Sequence, residues 1–375
     1  MTTFPPPTAR LAEQRRGSIR DTMIATPGRL TFWRLVHRPM TRSFLLVSTC
    51  IAAALAAAIA CGEKHPSPVS PSPTGAAATG CSRTSVGQTP LEDLSGGTYK
   101  GEHGGLYPGG VNGRSGMQEA EGLSRARAIV PVDAAGVPDN RGKYALVSIG
   151  MSNTTMEFSA FKQQADADSS KDPHLAIVDG AQGGQTAALW SSPACPCWNT
   201  LDTRLAAAGI SAKQVSVVWI KEADANPTMG WPVHAQMLKN EMATMLSLLA
   251  ARFSKLRMAY LSSRIYAGYA TSSLNPEPYA FESAFSVRWL IEDQMRGGGG
   301  LAYGPGDNTI PWLAWGPYLW ADGITPRSDG LSWTCSDFST SDGTHPSASG
   351  QLKVAQMLLA FFRTDSTARA WYLAR

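Results

Sequence analysis

The sequence predicts an α/β fold, a parallel sheet with helices on both faces, and three observations carry that expectation. Short apolar runs alternate with longer helical patterns between residues 144 and 362, and such alternation marks parallel strands joined by helical crossovers. The stretch 145–154, Ala-Leu-Val-Ser-Ile-Gly-Met-Ser-Asn-Thr, breaks off a strand-like run at Gly150 and turns toward a helix. At 375 residues, with 43% hydrophobic and 9% aromatic content, the chain can bury a sizeable core in one large domain with appendages.

The elements follow in order. Residues 144–149 read as a strand, 155–165 as a helix, 175–178 as a strand, 201–208 as a helix and 215–220 as a strand. A helix over 233–253 precedes a strand at 257–261, then a helix at 278–295, a weaker strand at 311–315 and a closing helix at 347–362. Right-handed crossovers put the turn-bearing strand ends on one edge, so Ser152, residues 179–184 and residues 221–224 are expected there together. No repeat at solenoid periods is apparent.

What precedes the alternation has a different composition. Residues 44–60 are 17 residues without a charge, flanked by Arg38 and Arg42 and ended by Cys61, short for a membrane span and suited to an export signal. Ala58-Ile59-Ala60-Cys61 resembles a bacterial lipobox, which makes Cys61 the expected lipidation site and Met40 a plausible true start. The competing reading keeps 44–60 as an uncleaved anchor with its Arg-rich flank inside. Both readings export everything after Cys61, to the periplasm or cell exterior, with the membrane contacted through the N-terminal anchor. Pro66, Pro68, Pro71 and Pro73 then stand among small residues in an extended tether. The expected organisation is 1–61 as tail plus signal or anchor, 62–98 as tether and 99–375 as the catalytic domain, with 81–140 a Gly-rich loop that packs after Tyr99.

The net charge of +4 does not indicate nucleic acid: arginines 10, 15, 16, 20, 29, 34, 38 and 42 all lie in the tail, and the remainder is near neutral or slightly acidic. No obligatory protein partner is evident. Outside the apolar segment and Cys61, four cysteines remain, Cys81, Cys195, Cys197 and Cys335, and export favours one or two disulfides. Cys195-Pro-Cys197 lacks the Cys-x-x-Cys spacing of redox and zinc sites, so neither metal nor cofactor is expected, and a structural disulfide to Cys335 is the preferred reading.

Ser152, just past Gly150, is positioned as a nucleophile: the N–H groups of a helix's first turn lack intrahelical acceptors and can face an anion. The plainer reading is that Ser152 only caps the helix. A serine nucleophile needs a base. His37, His65, His103, His174 and His234 lie in the tail, the tether, the Gly-rich lead-in, the wrong sheet edge and a helix opening. His345 stands in Ser341-Asp342-Gly343-Thr344-His345-Pro346-Ser347, after the last strand, where a turn brings Asp342 onto the far ring nitrogen. Trp312, Trp315, Tyr318 and Trp320 could stack on a sugar or belong to the core. Arg264, Tyr266 and Glu277 could touch substrate or form a satisfied loop network.

With these blocks in place, the chain resembles the SGNH (GDSL-like) hydrolases. Gly150-Met151-Ser152-Asn153 and Asp342-Gly343-Thr344-His345-Pro346 are similar to the family's first and last blocks. Ala181-Gln182-Gly183-Gly184-Gln185-Thr186 is similar to its glycine block, nearest the sialate O-acetylesterase-like carbohydrate esterases. Val218-Trp219-Ile220-Lys221-Glu222-Ala223-Asp224 falls at the third block. The resemblance spans about 100–365. It implies a three-layer flavodoxin-like doubly wound sheet and hydrolysis of an acyl ester, O-acetyl on a glycan being one candidate, by Ser152, His345 and Asp342. Met151 replaces the family's usual Asp or Gln, and Ile220 and Lys221 stand where its third oxyanion donor belongs. Backbone N–H groups of Ser152 and of Gly183 or Gly184 would form a two-donor hole. Lys221 would either supply a cation near the oxyanion or pair with Glu222 or Asp224, or point to solvent. A surface glycan-binding lipoprotein and an O-acyltransferase are the alternative functions.

Overall fold

Strand β3 (Tyr144–Gly150) and strand β5 (Val215–Lys221) lie side by side with every residue buried, the condition of parallel strands covered on both faces. A computed structural model describes residues 80–303 and 309–374. The apolar segment 44–60, Cys61 and the tether before residue 80 lie outside the described residues.

Two short strands, β1 (Thr98–Tyr99) and β2 (Glu102–His103), form an antiparallel ribbon. Helix α1 (Gly116–Arg127) follows, its N-cap Ser115 accepting from the Gln118 N–H. The main sheet adds β4 (Leu175–Val178), β6 (Met258–Leu261) and β7 (Trp312–Trp315) to the central pair. All five strands are parallel in the order β4-β3-β5-β6-β7. Counted within the sheet this is the 2-1-3-4-5 order of doubly wound folds, whose ligands gather where the strand order reverses, between the first and third strands. Here that crevice opens beyond Gly150 and Lys221, which pair with each other in the register.

Helices α2 (Ser152–Asp166), α3 (Ala187–Trp190), α4 (Cys197–Ala207), α5 (Val233–Arg252), α6 (Tyr279–Met295), α7 (Ala348–Thr364) and α8 (Ser366–Tyr372) complete the layers. α2 packs on α7, α7 on α8 and α8 on α1, while α5 packs on α6 and α3. Right-handed crossovers place these two groups on opposite faces. Phe158 of α2 stacks on Trp219 of β5, centroids 5.6 Å apart, so the helix carrying Ser152 is bedded on the central strand.

Three expectations need correction. Residues 81–140 are not simply loop, since α1 lies within them, its mean pattern being too polar to read from sequence. Packing begins well before Tyr99: Leu91 is fully buried, Cys81 is bonded to Cys335, and the N–H groups of Val86 and Gly87 donate to the Asp322 carboxylate at 2.6 and 3.0 Å. The disulfide expected between the Cys195-Pro-Cys197 pair and Cys335 is not formed, because Cys195 joins Cys197 and the N-terminal strap brings Cys81 to Cys335.

At the end of β3 the two central strands and α2 nearly touch. A Cβ on Gly150, whose φ is +158°, would stand 2.5 Å from the Lys221 carbonyl oxygen and overlap Thr154. It is this close approach that the glycine permits. Gly150→Ala should therefore lower the unfolding free energy by about 2 kcal/mol or more, measured by urea denaturation. A loss below about 0.5 kcal/mol would show that the junction has room to spare.

Candidate active site

Met151 is the N-cap of α2 and Ser152 its first residue. The Ser152 Oγ lies 2.7 Å from His345 Nε2. His345 Nδ1 lies 2.7 Å from Asp342 Oδ2, so the Nδ1–H is taken and Nε2 is left to accept the serine proton. The other carboxylate oxygen of Asp342 accepts the N–H groups of Thr344 at 2.8 Å and His345 at 2.9 Å. Partial burial works against charge on Asp342, yet these two N–H groups and the imidazole together hold its carboxyl below the usual range. It therefore stays ionised at neutral pH.

The loop bearing these residues is fixed from several sides. The Asp342 carbonyl accepts the Thr271 N–H at 2.9 Å, the Ser339 N–H donates to the His345 carbonyl at 2.7 Å, and the Asn153 amide donates to the Thr344 carbonyl at 2.9 Å. Asn153, beside the nucleophile, thus ties helix and histidine loop together. Sequence reading passed over it because its partner lies 191 positions away.

The glycine loop beyond β4 is likewise pinned. The Gln182 N–H donates to the Gly150 carbonyl at 2.8 Å, the Thr155 hydroxyl to the Ala181 carbonyl at 2.5 Å, and the Gln182 side chain to the Cys197 carbonyl at 2.9 Å. A Cβ built on Gly183 would sit 3.9 Å from that of Ser152. Gly184, at φ +75°, lines a pocket of about 330 Å³ together with Ser152, Asn153 and His345. The N–H groups of Gly183 and Gly184 donate to no described acceptor, which leaves both free to hold an oxyanion beside Ser152.

Lys221 does not serve that hole. Its side chain is fully buried and paired with Glu157 of α2, not with Glu222 or Asp224 and not with solvent. Burial lowers its ammonium to about 8, against the pull of Glu157. Glu222 is also buried, and desolvation raises its carboxyl well above the usual range; Oε2 accepts the Ala223 N–H at 3.3 Å. Lys221 therefore ties β5 to α2, the helix that Ser152 begins.

Trp312, Trp315, Tyr318 and Trp320 are all buried and form core, so no sugar platform exists there. The loop after β6 divides. Tyr266 donates to the Arg83 carbonyl at 2.7 Å, and Glu277 accepts from Ala267, Phe281 and Trp320 at 2.9, 3.0 and 2.8 Å, a satisfied network. Arg264 instead lines the pocket. Of the other described histidines, His234 is buried edge-on against Tyr279, and His174 pairs with Asp172. Among the described residues no group of three or more His, Cys, Asp or Glu side chains is placed to hold a metal ion.

Fold and site together define an α/β protein with a serine-histidine-aspartate line at the topological switch point. The chain matches no family model and no curated protein. Among solved structures, one described as a gut microbial diltiazem-metabolizing enzyme is similar at a TM-score of 0.35 and 11% identity, over 61% of this chain and 48% of its own. The matched region thus spans about half the length of that protein, a distant likeness.

The Lys221–Glu157 pair gives a stability test. Glu157→Gln leaves a buried ammonium without its counter-charge and should cost about 3–5 kcal/mol, whereas Glu157→Met combined with Lys221→Met should restore most of the loss, both read by urea denaturation. A Glu157→Gln protein as stable as the unmodified one would mean that the pair does not secure α2.

Proposed function

We propose that the chain is an exported serine esterase of the SGNH (GDSL-like) type, hydrolysing an acyl ester through Ser152, His345 and Asp342. The observation that carries this reading is the unbroken hydrogen-bonded line from Ser152 Oγ through both ring nitrogens of His345 to Asp342, 2.7 Å at each step. His345 Nε2 takes the proton as Ser152 attacks the ester carbonyl, and Asp342 orients the ring and balances the imidazolium. Charge on the carbonyl oxygen is met by the N–H groups of Ser152 and of Gly183 or Gly184, reinforced by the positive end of α2. His345 then protonates the leaving alcohol, and water resolves the acyl-enzyme by the same route reversed.

The reaction asks no metal or cofactor of the chain. The export proposal rests on residues 44–61, with Cys61 as the lipidated N-terminus of the mature protein. A measured mass in which an unlipidated Cys61 remains joined to residue 44 excludes that anchor.

Catalysis is tested with p-nitrophenyl acetate on the full chain in detergent. Ser152→Ala and His345→Ala should each lower kcat by roughly 10⁴-fold or more, and Asp342→Asn by about 10⁴-fold. Turnover that survives in Ser152→Ala contradicts the assignment. A silent unmodified protein would favour the glycan-binding lipoprotein.

A further inference from the structure

Arg264 stands where the chain leaves β6, 1% exposed, and lines the same pocket as Ser152 and His345. Its Nε and Nη1 have no hydrogen-bond partner. A guanidinium offers five donors and stays charged in proteins, and burying it without partners is costly. The nearby carboxylates do not supply those partners. Glu157 is taken by Lys221, and both oxygens of Glu277 are taken by Ala267, Phe281 and Trp320. Glu222 Oε2 accepts the Ala223 N–H at 3.3 Å, its Oε1 has no hydrogen-bond partner, and burial raises its carboxyl well above the usual range.

A second group faces the same space. Asn275 is 2% exposed and lines the pocket; its Nδ2 donates to the Asp224 carbonyl at 3.2 Å, and its Oδ1 has no partner. The residues that line the pocket therefore include a guanidinium with two unmet donors and an amide with an unmet acceptor, against a largely apolar remainder that includes Met151, Ala225 and Leu274. At about 330 Å³ it is at the small end of ligand sites.

We propose that this pocket is a carboxylate subsite, in which Arg264 grips the carboxylate of a small ester substrate and Asn275 Oδ1 accepts from a hydroxyl or N–H group on the same molecule. The planar guanidinium matches a carboxylate's two oxygens. The proposal rests on the esterase reading and narrows it to carboxylate-bearing esters. The acid lies either on the acyl half, as in a half-ester of a dicarboxylic acid, or on the alcohol half, as in an O-acylated hydroxy acid. Hydrolysis adds one water across the ester bond in either case, releasing a dicarboxylate and an alcohol, or a simple acid and a hydroxy acid.

The experiment uses the full chain in detergent with two pairs of esters matched in leaving group: mono-p-nitrophenyl succinate against p-nitrophenyl acetate, and O-acetyl-lactate against isopropyl acetate. It runs beside calorimetric titration with succinate and with lactate, which needs no turnover. One anionic ester should exceed its neutral partner in kcat/KM, and the pair that shows the gain tells which half carries the acid. Arg264→Met should lower that anionic-to-neutral ratio about 10- to 100-fold, mainly through KM, and should abolish binding of the matching acid, while Arg264→Lys retains part of both. Asn275→Asp, which turns a negative charge toward the carboxylate, should also lower the ratio and decides the matter if the Arg264 variants do not fold.

Equal efficiency within each pair with no binding of either acid overturns the subsite and leaves the esterase standing. An Arg264→Met protein that loses rate on all esters alike, its ratio unchanged, also overturns it, since Arg264 would then serve the oxyanion. Arg264-dependent binding without hydrolysis of any ester upholds the subsite and removes the esterase reading.

Discussion

The attachment of helix α2 to the carboxyl end of the central strand at Lys221 is the constraint on which the site depends. Two bonds from one residue make it: the Lys221 carbonyl accepts the Thr154 hydroxyl at 2.7 Å, and the Lys221 ammonium is buried against Glu157. Both partners lie on the helix that Ser152 begins. Gly150 lets strand and helix approach closely enough for these bonds to form. A nucleophile is useful only if its base is within reach at the right angle, and here rigidity comes from main chain and buried charge more than from the serine's own contacts. Asn153 extends the same bracing to the histidine loop.

That bracing explains why Lys221 is unavailable at the oxyanion. A buried ion pair of this kind is weak evidence for net stability, but breaking it leaves a charge stranded in low dielectric. Lys221 is therefore committed to holding the helix, and backbone N–H groups of the glycine loop remain beside Ser152. The pocket's other side shows the reverse arrangement. Arg264 is buried with its Nε and Nη1 unpartnered, and the proposed carboxylate subsite assigns those desolvated donors to an incoming acid.

Much of the fold was legible because parallel strands buried on both faces read as unbroken apolar runs, and residues 175–178 matched β4 to the residue. Ser152, Asp342 and His345 could be singled out because chemistry limits which side chains can act together, and a crossover topology sends distant turns to one sheet edge. Partnerships between elements were illegible. Nothing local marks Glu157, one carboxylate on a helix, as the mate of Lys221, and Glu222 and Asp224 stood nearer in sequence. The Cys81–Cys335 bond is not legible because the strap from Cys81 reads as tether. Aromatics around Trp315 had two readings, and only burial separates them. Arg264 was visible as a loop cation, but that its donors are unmet is a property of three dimensions.

The central claim is that Ser152 is a nucleophile made reactive by His345, and the most direct measurement locates a covalent adduct. After treatment of the full chain with a fluorophosphonate, peptide mass mapping should find one phosphonyl group, on Ser152, and none after the same treatment of His345→Ala. An unlabelled Ser152, or a label that falls on another residue or persists undiminished in His345→Ala, would contradict the account.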